Sequence, residues 1–175
     1  MSELKKVKAY PLSDEDIRNV LGNVGFVLYP DLEDMEHIDD CFDELGRCIL
    51  FCPNASPTSG HYTCMIRYKD HIEFFDPYGE KPEDFKKPLS KSRLEQLDID
   101  KPFLTRLMRE SKIPVYYNTK AFQSSSPDVA TCGRHCITRL LYAPYSLDKY
   151  GAIVKKSGLS PDDFVSGLIY SKIKK

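Results

Sequence analysis

Between positions 61 and 76 the chain carries the two-residue period of a β-hairpin. Tyr62, Cys64, Ile66 and Tyr68 alternate with more polar positions, Lys69-Asp70 marks a turn, and His71-Ile72-Glu73-Phe74-Phe75-Asp76 runs back. A two-residue loop at 69–70 pairs Tyr68 with His71, Ile66 with Glu73 and Thr63 with Asp76. Residues directly opposed share a face, as do alternate residues along a strand. His61, two before Thr63, then shares a face with Asp76 as its diagonal neighbour, about 7–8 Å across. A three-residue loop would put the two on opposite faces.

Other segments read as follows. Ser13 before Asp14-Glu15-Asp16, with Ile17, Val20 and Leu21 on one face, predicts a short capped helix that stops near Gly22. Residues 31–45 are strongly acidic and predict an exposed loop or helix. Cys48-Ile-Leu-Phe-Cys52 is a continuous apolar run ended by Pro53, the length of a buried strand. Helical spacing returns over 90–111, interrupted by Pro102, and Pro114-Val-Tyr-Tyr117 is a short strand. A loop rich in Ser and Asn (118–131) leads into a helix that Cys132 begins. Two more helices are predicted, one over about 147–157 ending near Gly158, the last capped by Ser160-Pro161. Strands in the middle with helices on both sides predict an α+β fold, with a central mixed, mainly antiparallel sheet flanked by helices.

Composition narrows the class. The 175 residues are 41% hydrophobic and 29% charged, which predicts one domain over 1–175 with its own core. No run approaches the roughly 20 apolar residues of a membrane helix, and the first residues have no apolar signal core. A net charge of −1 provides no basic field for nucleic acid. The lysines at positions 5, 6 and 8 and at 172, 174 and 175 read as solvated termini. The expected environment is reducing, so the six cysteines (41, 48, 52, 64, 132 and 136) read as free thiols. Their spacings match no common zinc site, and no cofactor is implied.

The candidate chemistry is a cysteine hydrolase. Cys132, at a helix start, has the N–H groups and macrodipole that favour a thiolate; Gly133 lets a substrate backbone come close. Cys136, one turn on, reads as core. His61 is the candidate base. His135 is its rival, while His37 and His71 read as surface. Asp76 would orient the imidazole, with Glu73 and Asp70 as alternatives nearer the turn. Gln123 offers a side-chain amide to an oxyanion beside the Cys132 N–H. With His61 and Asp76 on one sheet face, the N-terminus of the Cys132 helix is expected to pack against that face.

The order His61, Asp76, Gln123, Cys132-Gly133 resembles that of the adenovirus maturation protease (adenain) and the related SUMO and ubiquitin-like-protein cysteine proteases. The likeness covers about residues 48–143 and includes Phe74-Phe75-Asp76-Pro77-Tyr78-Gly79 and Tyr142-Ala143-Pro144 after the cysteine helix. It implies a cysteine endopeptidase that processes capsid or other structural precursors of a small virus or virophage. The catalytic set would be His61, Asp76, Gln123 and Cys132. The expected partner is a polypeptide, a capsid precursor or alternatively a ubiquitin-like protein, with no membrane and at most weak nucleic-acid contact. The place of action would be the virion and the host-cell cytoplasm. A catalytically inactive interaction domain is the non-enzymatic alternative. Three departures stand out. The Gln123–Cys132 interval is longer than usual, Thr131 stands where cellular members tend to have Asp, and Tyr62 takes the place of the channel-walling Trp after the histidine.

Overall fold

The computed structural model describes residues 2–173. Five strands, β1 (Gly25–Leu28), β2 (Arg47–Ser56), β3 (Ser59–Arg67), β4 (Ile72–Phe75) and β5 (Val115–Tyr117), form one sheet in sequence order. The central pairs β2–β3 and β3–β4 are antiparallel; the outer pairs β1–β2 and β4–β5 are parallel. Ile66 pairs with Glu73 and Cys64 with Phe75, and the Tyr68 N–H donates to the His71 carbonyl at 2.9 Å. This is the register of the two-residue turn. β1 was not anticipated: four residues without alternation, recognisable only by the parallel partner they meet in β2.

Among the described residues seven α-helices accompany the sheet: α1 (Glu3–Ala9), α2 (Asp14–Leu21), α3 (Lys91–Gln96), α4 (Phe103–Ser111), α5 (Cys132–Leu141), α6 (Leu147–Lys156) and α7 (Pro161–Ile173). Strand alternation sorts the core into two layers. Ile49, Phe51, Tyr62, Cys64, Ile66 and Phe75 face α2, α5, α6 and α7. Cys48, Leu50, Cys52, Met65, Ile72 and Phe74 face α4 and the acidic segment. That segment forms two 3-10 turns, Tyr29–Asp34 and Ile38–Cys41. Leu32, Ile38 and Cys41 are buried and pin it to the sheet, while its carboxylates stay outside except Asp43, which pairs with Arg47 at 2.8 Å. Among the described residues no helix is long and apolar enough to cross a membrane.

The N-terminus differs from the expected solvated tail. Glu3–Ala9 is helical, Lys8 pairs with Asp163 at 2.9 Å, and the Ala130 N–H donates to the Lys8 carbonyl at 2.7 Å. Among the described lysines there, only Lys8 is held by the acidic start of α7; Lys5 and Lys6 are exposed, as expected of solvated residues. Lys174 and Lys175 lie outside the described residues.

α5 is fastened to the sheet by a buried ion pair. Arg139 Nε donates to Glu73 Oε2 at 2.7 Å and Nη2 to Oε1 at 2.9 Å. The same guanidinium also donates to the carbonyls of Tyr142 and Tyr145 and to the Tyr68 hydroxyl. Glu73 is thereby committed to Arg139. Glu73→Ala strands a fully buried cation, and unfolding in urea should show a loss of about 3–5 kcal/mol. An unchanged midpoint would mean that α5 is not held by this pair.

Candidate active site

Three of the residues singled out in the sequence meet where β3 begins and β4 has ended. His61 Nε2 lies 3.0 Å from Asp76 Oδ1, both side chains buried. The Cys132 sulfur adjoins the same imidazole closely enough for each group to shift the other's pKa; with Nε2 committed to the carboxylate, Nδ1 is the nitrogen left for the thiol. Asp76 is anchored on every side. Its Oδ1 also accepts the Tyr78 N–H at 2.7 Å, its N–H donates to Asn118 Oδ1 at 2.9 Å, and its carbonyl accepts from Asn118 Nδ2 at 2.6 Å. The turn contact with the Tyr78 N–H and the pairing with His61 thus coexist on one oxygen.

The Tyr78 ring stacks on the imidazole, centroids 5.0 Å apart and planes at 27°. Gly79 follows with φ +75°, and a Cβ there would lie 2.8 Å from the Lys120 carbonyl carbon. Only glycine lets the Asp76–Gly79 turn pack this close to the 118–123 loop. The Phe122 and Gln123 N–H groups close the contact by donating to the Pro77 carbonyl at 2.8 and 2.9 Å.

The nucleophile helix approaches from an unexpected side. His61 and Asp76 share a face, and α5 was expected to pack its N-terminus on that face. Instead α5 lies across the opposite one: Cys136 Sγ contacts the Tyr62 carbonyl at 3.4 Å, and Cys136 packs with Tyr62 and Cys64. The reason is where the ladder stops. The β3–β4 pairing ends at Cys64–Phe75, so no strand covers His61 on the β4 side. The imidazole meets the helix terminus around the end of the sheet.

Two residues read as substrate contacts, Tyr62 and Gly133, also pack against the protein itself. Tyr62 points inward, 8% exposed, with its ring edge-on to Phe26 and Phe51. Its position in the strand faces α5. Gly133 is buried, and a Cβ on it would lie 3.3 Å from Leu12 and 3.4 Å from the Tyr62 ring. The close approach it permits on that side is to the protein's own N-terminal segment.

Electrostatics favour an ion pair. Burial alone would raise the Cys132 thiol, but the His61 hydrogen bond and charge, with backbone bonds from Tyr62 and Gly133, bring it below the ordinary value. Burial alone would lower the His61 pKa, yet the bonds to Asp76 and Cys132 outweigh it and push the group up to about 10. Both shifts favour the thiolate–imidazolium pair over the neutral thiol and imidazole.

Gln123 is buried in the adjoining loop. Its Nε2 donates to the Val129 carbonyl at 3.4 Å, a long bond, and its Oε1 has no partner among the described residues. His135, the rival base, is fully buried and bonded to Asp162 at 2.9 Å; it is absent from the interactions that shift the Cys132 thiol. His37 and Asp70 lie at the surface, and half-buried His71 bonds Asp70 at 2.7 Å. Sequence reasoning missed Asn118 and Asp162. An Asn directly after a short strand run was a weak signal for the first; nothing local marked the second. Among the described residues, no three His, Cys, Asp or Glu side chains are grouped to hold a metal.

Comparison with known proteins adds a viral relative. The chain is 34% identical over 172 residues to uncharacterized protein V9 of Sputnik virophage, covering 95% of this chain and 98% of that one. No family model matches. Among solved structures it is similar to the SUMO protease Ulp1 with its catalytic cysteine oxidised to a sulfinic acid (16% identity, 99% of this chain and 84% of that one, TM-score 0.45). It is also similar to the C-terminal Ulp1 protease domain in complex with Smt3, the yeast ortholog of SUMO (15% identity, 99% and 83%, TM-score 0.44).

Proposed function

This chain belongs to the family of virophage protein V9, and on that basis and its site geometry we propose that it is a viral cysteine endopeptidase that matures structural precursors. The observation that carries the reading is the buried imidazole of His61, hydrogen-bonded to the Asp76 carboxylate and electrostatically coupled to the half-buried Cys132 thiol at a helix N-terminus. In this mechanism the Cys132 thiolate adds to the scissile carbonyl carbon. The resulting oxyanion takes hydrogen bonds from the Cys132 N–H and from the Gln123 Nε2 hydrogen that Val129 does not use. The tetrahedral adduct collapses as imidazolium His61 gives its proton to the departing amine, leaving a thioester. Water, deprotonated by the now neutral His61, attacks that thioester, and the thiolate and imidazolium are restored. Asp76 holds the ring and stabilises its charge throughout.

A viral relative supports a capsid or other structural precursor as substrate; a ubiquitin-like conjugate is the competing substrate for the same chemistry. Purified protein should be incubated with the capsid precursor encoded by its own virus, and separately with ubiquitin and SUMO carrying a C-terminal thiol-reactive group. The expected result is discrete precursor cleavage and no rapid labelling by either modifier. Rapid labelling of Cys132 with an intact precursor would reassign the protein as a deconjugase. Neither reaction, with Cys132 no more reactive than the other five thiols, would leave a non-catalytic interaction domain.

A further inference from the structure

We infer that Asp162, in the first turn of α7, is a positioning residue that ties the two halves of the proposed oxyanion site together. Its buried carboxylate accepts three hydrogen bonds from three places around the nucleophile. Oδ2 takes the Ser124 N–H at 2.9 Å; Oδ1 takes the Thr131 hydroxyl at 2.6 Å and His135 Nε2–H at 2.9 Å. Ser124 directly follows Gln123, Thr131 directly precedes Cys132, and His135 lies one turn into α5. The two oxyanion donors, the Gln123 amide and the Cys132 N–H, belong to segments joined only by the loop 124–131. Asp162 clamps both ends of that loop.

Two features separate this from an ordinary helix cap. Thr131 occupies the N-cap position of α5, yet its side chain makes no capping bond to that helix. An N-cap threonine usually accepts a backbone N–H of its own helix; here the hydroxyl donates to Asp162. His135 is completely buried, and its Nδ1 has no partner among the described residues. Burial lowers its pKa in spite of Asp162, so the ring serves as a neutral donor and not as a second acid–base group. Burial would raise the Asp162 carboxyl, but its donors from His135, Thr131 and Ser124 bring it below the ordinary value. Ionised, it has acceptors for all three. A shift of the loop by a fraction of an ångström would spoil stabilisation of the oxyanion while leaving the Cys132–His61 contact in place.

The inference rests on the acyl-transfer reading above, and its test uses two reagents on one thiol. p-Nitrophenyl acetate acylates Cys132 through a tetrahedral oxyanion and releases p-nitrophenolate. Iodoacetamide alkylates it by direct displacement of iodide, with no oxyanion. In Asp162→Ala the acylation rate should fall about tenfold or more, with alkylation at pH 6 within about twofold of the parent. Thr131→Val, which removes one donor without changing shape, should lower the ratio of the two rates about threefold. Asp162→Asn should restore the ratio to within about threefold. Its oxygen can face the Ser124 N–H while its NH2 faces the Thr131 oxygen and His135 in the other tautomer. An unchanged ratio in both Asp162→Ala and Thr131→Val overturns the inference, as does a parallel fall of both rates in folded protein. If Asp162→Ala does not fold, the Thr131→Val ratio decides. A parent protein that p-nitrophenyl acetate does not acylate would instead remove the acyl-transfer reading, and this inference with it.

Discussion

Replacing Cys132 with alanine should lower precursor cleavage by about 10⁴-fold or more while the protein stays folded. Every covalent step proposed for the site passes through this sulfur, and no other thiol can substitute. Cys41, Cys48, Cys52, Cys64 and Cys136 are all buried, and only Cys132 has partial access to solvent. Burial raises Cys52 to well above the ordinary thiol range, and Cys136 likewise. Stability should hardly move, because the deleted atom sits at a half-open helix terminus and leaves no core cavity; a change below about 1 kcal/mol is expected. The loss should also be visible at His61: without the thiolate, its imidazole retains only the Asp76 contact to oppose burial, so its titration by NMR should move down from about 10. Cleavage that survives in folded Cys132→Ala would end the protease reading.

His61→Gln should reduce cleavage by roughly three orders of magnitude and change how the thiol responds to pH. Glutamine still offers an N–H to Asp76, so the buried carboxylate keeps a donor and the fold is spared. In the parent protein the thiolate is held by the imidazolium, and iodoacetamide should react readily at pH 6, where an ordinary thiol is only about 0.3% ionised. The variant should react roughly 100-fold more slowly at that pH and regain the tenfold rise per pH unit of a free thiol. The stability linkage has a definite sign. The folded pKa of His61 lies above its free value of 6.5, so its contribution is complete below that pH and is lost as pH rises through about 10. Cys132 acts oppositely: its contribution is present above the free-thiol value and is lost as pH falls through its lowered folded value. The ion pair is therefore fullest between those two folded values. An identical pH profile for parent and variant would show that His61 does not hold the thiolate.

What the sequence determined by itself was local. A two-residue turn at Lys69-Asp70 admits one register that keeps the apolar alternation inward, and that register already places His61 and Asp76 on one face. The Ser13 capping box and the Ser160-Pro161 start were legible for the same reason, since caps are written within four residues. Cys132 at a helix start could be read from the apolar run it opens.

Only the tertiary structure decided which partners the polar groups would take. β1 is a strand because β2 offers it hydrogen bonds, and α1 is ordered because α7 presents Asp163 to Lys8. Glu73 and Asp76 are both carboxylates on the returning segment, and the hairpin register puts them on opposite faces without naming their partners. Arg139, 66 residues away, claims the first, while the second lies where the ladder has ended and His61 is uncovered. Asp162 meets His135 and Thr131 across 27 and 31 residues, so neither sequence spacing nor periodicity announces it. The physical reason is common to all of these. Periodicity encodes which face is apolar, whereas a buried polar group is stable only beside a specific partner, and that partner is chosen by how the layers pack.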